Sequence, residues 1–286
     1  MKLAYTSDTH LDFWVKDVNP QSPKTHLKIK KYIKEILKPK EADVLVVAGD
    51  IGHYNKQNLI LLTELKKIYK EVIVVNGNHD MYLVSKNIQN QYDYLSFKRS
   101  DEMKQMCKDN DIHYLDGDIV EIEGVRIGGT GMWYHLEDED LYDWKDCMND
   151  AQLIMNGPIT RSYGGWTMYN SGSDFISPTF KTQFHYEKEV KKLEKIKDID
   201  VFVSHVSPIT IPDEIKDERY GRNNKYNKFY ESDNLKKLQE TGAKHCVFGH
   251  THIEKEFSVG GIDFHVSAVG YPQERKTSGE IKVLEI

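Results

Sequence analysis

Five short polar motifs punctuate this chain, and each follows directly on an apolar run: Asp8-Thr9-His10, Gly49-Asp50, Gly77-Asn78-His79-Asp80, Ser204-His205 and Gly249-His250-Thr251-His252. A short aliphatic run closed by turn residues reads as a buried strand and its exit. The fold therefore has to place polar side chains at five strand ends. Two carboxylates (Asp8, Asp50), one amide (Asn78) and four imidazoles (His10, His205, His250, His252) are oxygen and nitrogen donors of intermediate hardness. Such a set suits Mn, Fe, Zn, Co or Ni better than Mg or Ca. It suffices for two ions, and the chain reads as a binuclear metallohydrolase.

The spacing of elements supports this reading. Leu3 to Thr6, Val44 to Ala48, Val72 to Val75 and Val201 to Val203 read as buried strands. Residues 24 to 38 and 56 to 70 carry apolar positions three and four apart, the helical period, and Pro39 ends the first helix. Strand and helix in alternation make a βαβ series, which places ligands at the carboxyl ends of its strands. A helix near residues 99 to 110 leads into short strands at His113 to Leu115, Ile119 to Ile122 and Val125 to Gly129. Ile262 to Ala268 and Glu280 to Leu284 read as a closing pair.

Composition excludes more than it identifies. A net charge of −6 gives no global field for capturing nucleic acid. The lysine-rich stretch from Lys28 to Lys40 has isoleucine and leucine at helical spacing, as on a solvated helix face. Cys107, Cys147 and Cys246 are widely spaced and form no C-x-x-C pair, so neither a disulfide framework nor a zinc knuckle is expected. No apolar run approaches the ~20 residues of a membrane span, and the first strand begins at Lys2 without room for a signal peptide. A cytoplasmic location without a membrane partner is the expectation.

In order and at every element, the motifs resemble the pattern D-x-H, G-D, G-N-H-[DE], H, G-H-x-H of the calcineurin-like metallophosphoesterases, over residues 2 to 252. Periodicity alone gives α/β. The resemblance implies a four-layer α/β/β/α sandwich of two mixed sheets. Residues 1–286 are then one metallophosphoesterase domain, with an aromatic and glycine-rich insertion at about 132–185. Within it, Trp133-Tyr134 followed by Met148-Asn149-Asp150 resembles an insertion of some bacterial metallophosphoesterases. It is either a peripheral subdomain with its own aromatic core or a wall of the substrate pocket.

Residue by residue, the resemblance assigns Asp8, His10, Asp50 and His252 to one metal and Asp50, Asn78, His205 and His250 to the other. Asp50 is the shared ligand, because a carboxylate can bridge two cations about 3.5 to 4 Å apart. The cofactor is then two divalent transition-metal ions, Mn first, with Fe, Zn, Co or Ni as alternatives. A metal-bridging hydroxide is the implied nucleophile, its pKa lowered from 15.7 toward ~7. His79 is the implied general acid, with Asp80 orienting its imidazole. Arg222 and Asn149 are candidate substrate contacts.

Departures from the pattern narrow the choice. Asp50 is followed by Ile51-Gly52-His53, unlike the G-D-x-V-D-R-G of serine/threonine protein phosphatases. His53 also stands where purple acid phosphatases place a tyrosine ligand. The 34 residues after His252 (286 minus 252) are too few for the capping domain of the recombination nucleases. A phosphodiesterase acting on a nucleotide or another small phosphodiester is the leading expectation. The alternatives are a phosphomonoesterase (nucleotidase or protein phosphatase) and a catalytically silent scaffold.

Overall fold

The computed structural model describes residues 1–158, the backbone of 160–163 and 166–169, and residues 180–216, 225–274 and 279–286. In chain order the strands are β1 Lys2–Thr6, β2 Val44–Val47, β3 Glu71–Val75, β4 His113–Leu115, β5 Asp118–Ile122 and β6 Val125–Gly129. These are followed by β7 Thr160–Tyr163, β8 Trp166–Tyr169, β9 Val201–Val203, β10 His245–Phe248, β11 Glu254–Val259, β12 Ile262–Ser267 and β13 Lys282–Glu285. One sheet has the order β13-β1-β2-β3-β4 and the second β11-β12-β10-β9-β6-β5, while β7 and β8 form a separate hairpin. Neighbours from β1 to β4 are parallel, as are β6, β9, β10 and β12. Strands β13, β11 and β5 run antiparallel at the edges.

Two-residue periodicity sorts each strand between two cores. Leu3 and Tyr5, Val44 and Val46, and Ile73 and Val75 face the second sheet, where they meet Ile127, Val201, Val203 and Val247. Their alternates, Ala4, Leu45, Val47, Val72 and Val74, pack on helices Pro23–Tyr32, Asn55–Lys66 and Ser96–Asp109 through Ile29, Leu61, Leu65 and Met103. Phe202, Cys246, Phe248 and Phe264 point out of the second sheet onto Leu193 and Leu238 of helices Thr182–Lys195 and Leu235–Gln239. The result is the expected α/β/β/α order of two mixed sheets.

Three details differ from the sequence reading. Helix 24–38 is an α-helix only to Tyr32. It continues as a π-helical turn over Ile33–Leu37 and stops at Lys38, whose φ of 49° is left-handed. The segments read as a closing pair go to different sheets, β12 pairing with β10 and β11 while β13 pairs with β1. Strand β11 was not expected. Its exposed Glu254, Lys255 and Glu256 mask the alternation, although Gly260 and Gly261, both with positive φ, make the two-residue turn that returns the chain into β12.

Part of the insertion belongs to the main core. Trp133, Tyr134, Trp144 and Met148 are buried in the same core as Phe202, Phe248 and Phe264. Gly164, Gly165, Gly172 and Phe175, and the side chains of Trp166 and Tyr169, lie outside the described residues. The three cysteines are free. No helix among the described residues is long and apolar enough to cross a membrane.

Candidate metal centre

All five motifs leave strand ends at one edge of the sandwich. Asp8, Asp50 and Asn78 follow β1, β2 and β3 of the first sheet, whereas His205, His250 and His252 follow β9 and β10 of the second. The chain turns sharply at these exits. Asp8, His10, Asp50, His250 and His252 all have left-handed backbones, with φ of 51°, 39°, 56°, 68° and 49°. For an L-residue that conformation costs roughly 1 to 2 kcal/mol, less for aspartate. Strain of this kind persists where the surrounding structure over-determines it. Here Asp80 supplies part of that hold, its carboxylate accepting from the N–H groups of Asp50 (2.9 Å), Ile51 (3.0 Å) and Gly77 (2.9 Å).

Donor atoms converge in three overlapping groups, Asp8 with His10 and His252, His10 with Asp50 and His79, and Asp50 with His205 and His250, each within 4.8 Å. Asp50 belongs to two of them. Its Oδ1 lies 3.3 Å from His205 Nε2 and its Oδ2 lies 3.8 Å from His10 Nε2. On the Asp8 side, Asp8 Oδ1 is 3.4 Å from His252 Nε2, and the Nε2 atoms of His10 and His252 are 2.9 Å apart. On the other side, Asn78 Oδ1 lies 2.9 Å from His205 Nε2.

Outer partners leave one nitrogen of each second-sheet imidazole facing inward. His205 Nδ1–H donates to the Ala48 carbonyl (2.9 Å), His250 Nε2–H to the Phe229 carbonyl (3.1 Å) and His252 Nδ1–H to the Glu274 carboxylate (2.8 Å). This is how ligating histidines are held, with the hydrogen on the outer nitrogen.

The charge balance of the cluster calls for cations. Asp8 and Asp50 are buried, and among the described residues no lysine or arginine pairs with either. Burial would raise both carboxyls, but His252 beside Asp8 and His205 beside Asp50 pull them below the usual range. The imidazoles respond in kind. Burial opposes charge on His205, yet Asp50 lifts it to about 9, and Asp8 and Glu274 lift His252 to about 10. Without ions, protons on these rings supply the positive charge the carboxylates require. His10 Nδ1 is buried with no hydrogen-bond partner. The donor set fits two transition-metal ions.

His79 points Nε2 into the centre, 3.9 Å from Asp50 Oδ2 and 3.3 Å from the Tyr271 hydroxyl. Asp80 does not orient it, which corrects the sequence reading. The Asp80 carboxylate is occupied by backbone N–H groups, and burial pushes it up to about 6. The partner of the His79 ring is His53, whose Nε2 lies 3.0 Å from His79 Nδ1 and whose Nδ1–H donates to Asp12 (2.9 Å). Buried Arg99 clamps the two loops from behind, donating to the carbonyls of His79 (2.8 Å), Tyr82 (3.1 Å) and Gly52 (2.6 Å).

Of the two proposed substrate contacts, one falls among the described residues. Asn149 is exposed at the start of the short helix Asp150–Leu153, and Arg222 lies outside the described residues. Asp12, His53, Arg99, Tyr271 and Glu274 escaped the sequence reading. His53 and Asp12 lie within three residues of motif positions, so D-x-H-x-D and G-D-x-x-H were visible signals. Glu274 and Arg99 had none, because only tertiary packing brings them here.

The sequence profile of the calcineurin-like phosphoesterase family matches residues 1–254. Among solved structures, the phosphopantetheinyl hydrolase of Mycobacterium tuberculosis is similar in fold. Its TM-score is 0.67 at 18% identity, over 99% of this chain and 95% of that one. A Staphylococcus aureus protein described as a 5′-nucleotidase aligns more distantly, with a TM-score of 0.39 at 10% identity over 94% of this chain and 49% of its own length. No curated protein matches the sequence.

Proposed function

This chain belongs to the calcineurin-like phosphoesterase family, and from that membership we propose that it is a phosphodiesterase with two Mn²⁺ ions, acting on a nucleotide or another small phosphodiester. The observation that carries the proposal is the position of Asp50 between two donor groups, one with His10 and His79 and one with His205 and His250. A carboxylate so placed suits the role of shared ligand. Asp8, His10 and His252 complete one ion's set, and Asn78, His205 and His250 the other's. When bound, such ions neutralise phosphoryl oxygens and lower the pKa of water toward ~7. Residues 1–286 act as one domain in this reading.

His79 is the proposed acid for the leaving oxygen. Asp12 takes the Nδ1–H of His53, which makes Nε2 of His53 the accepting nitrogen, and the hydrogen on His79 Nδ1 points to it. That leaves His79 Nε2 as the atom that exchanges a proton with substrate. Burial drives His79 down to about 3, against the attraction of Asp50. A bound phosphoester adds negative charge beside the ring and favours its charged form, so Nε2 takes up a proton from solvent as the substrate binds.

The test is Mn²⁺-loaded protein assayed on bis-p-nitrophenyl phosphate beside p-nitrophenyl phosphate. Faster diester turnover is expected, and a clear monoester preference would overturn the diester assignment. Cyclic nucleotides, dinucleotides and, given the fold likeness, phosphopantetheine esters form the panel that identifies the substrate.

A further inference from the structure

We propose that Asp150 is a positioning residue for the metal ligand Asn78, which makes the insertion part of the metal centre's construction; the inference rests on the binuclear reading above. Asp150 opens the short helix Asp150–Leu153 and is completely buried. Its Oδ1 accepts from Asn78 Nδ2 (2.8 Å) and from the Tyr82 hydroxyl (2.5 Å), and its Oδ2 accepts from the Tyr134 hydroxyl. Trp144 Nε1–H donates in turn to the Tyr134 oxygen (2.7 Å). No lysine or arginine pairs with Asp150 among the described residues. A buried carboxylate without a cation is costly unless neutral donors satisfy it, and here three do.

The consequence falls on Asn78. A side-chain amide has two unlike ends, and the partner of one end decides where the other points. A carboxylate only accepts, so the NH₂ end must face Asp150. The carbonyl end then has to face the centre, where Oδ1 lies 2.9 Å from His205 Nε2. The hydrogen bond to an anion also polarises the amide and makes its oxygen a stronger donor to a cation.

The chain around Asp150 is held firmly enough for this task. Leu83 N–H donates to the Leu153 carbonyl (2.9 Å) and Ser96 N–H to the Met155 carbonyl (2.8 Å), while Leu95 and Asn156 form a β-bridge. These bonds fasten the insertion to the segment that follows the Gly77 to Asp80 motif. Asn149, which the sequence singled out, faces solvent beside it. The residue that touches Asn78 is its neighbour.

The test titrates chelator-stripped full-length protein with Co²⁺, following heat and the cobalt absorption bands, in wild type, Asp150→Asn, Asp150→Ala and Asn78→Ala. Wild type should take two ions. Asp150→Ala should keep one site at wild-type affinity and weaken the second about 10- to 100-fold, the usual cost of losing an outer partner. Asp150→Asn retains one acceptor oxygen and should fall between the two, a graded rescue that a purely structural role would not produce. Wild-type affinity at both sites in folded Asp150→Ala overturns the proposal, as does equal weakening of both sites. If Asp150→Ala does not fold, unchanged second-site affinity in Asp150→Asn overturns it. Fewer than two ions in wild type, or no loss in Asn78→Ala, instead defeats the binuclear reading itself.

Discussion

The two sheets contribute unlike chemistry to one centre. From the first come the oxygen donors Asp8, Asp50 and Asn78, with His10 beside them; from the second come only imidazoles, His205, His250 and His252. The first side carries formal negative charge and the second can carry positive charge only by taking protons. In the metal-free protein it does so, with His205 raised to about 9 and His252 to about 10 against the opposing effect of burial. Each sheet edge is thus half of an electrostatic pair, and the predictions below separate the halves.

The largest effect should come from Asp50, the carboxylate shared between both donor groups. Asp50→Asn replaces a bridging anion by an amide and should abolish turnover while lowering metal content at both sites, as read by elemental analysis. Two retained ions with near-wild-type activity would sink the bridge assignment. Next in size is His79, which the scheme keeps outside both ligand sets. His79→Gln should leave two ions bound and slow alkyl diesters by about 10² to 10⁴ fold, the usual contribution of a general acid. The loss should shrink for p-nitrophenyl esters, whose leaving group needs little protonation. Equal losses on both would mean that His79 positions the phosphate.

Removing the ions should test the pairing of the halves directly. Occupancy at a hundredfold excess over Kd stabilises by about 2.7 kcal/mol per independent site, a rise in melting temperature of roughly 5 to 10 °C. The stripped protein should also depend on pH in a defined way. His205 and His252 are raised above their unfolded value of ~6.5, so their stabilisation is complete below that pH. It is lost as pH climbs through about 9 and about 10. Stripped protein should therefore melt progressively lower across that window. A melting temperature indifferent to pH there would show that the imidazoles do not neutralise the carboxylates.

The smallest effect belongs to the outer partner of a second-sheet ligand. Glu274→Gln should weaken the ion held by Asp8, His10 and His252 about tenfold, because His252 loses the anion that fixes its Nδ1–H. The Asn78 site should be untouched. Equal weakening at both would argue against two separable sites.

Much of this asymmetry was legible in the sequence, because strand exits are local events. An aliphatic run followed by Asp-x-His or Gly-His-x-His fixes both a strand and the polar group at its end, so the donors could be named. Which sheet each strand joins is a long-range matter, and there the reading failed: β12 and β13 read as a pair but lie in different sheets. Asp80 failed for a related reason. Beside a histidine in sequence it resembles an orienting carboxylate, yet its oxygens are taken by the N–H groups of Asp50, Ile51 and Gly77, and the carboxylate that reaches the His79 ring through His53 is Asp12. The insertion was opaque because aromatic and glycine-rich sequence carries little periodicity. Nothing local distinguishes buried Asp150 from exposed Asn149.

The donors span the chain from residue 8 to residue 252, and those of the first sheet all precede those of the second. A polypeptide growing from its amino end makes every oxygen donor within its first 78 residues and waits until residue 252 for the last imidazole. Asp50 has no second-sheet imidazole beside it before His205 follows β9, and Asp8 waits for His252 beyond β10. A complete donor set therefore cannot assemble before β10 is made, and two bound ions would report that strands of both sheets have come together.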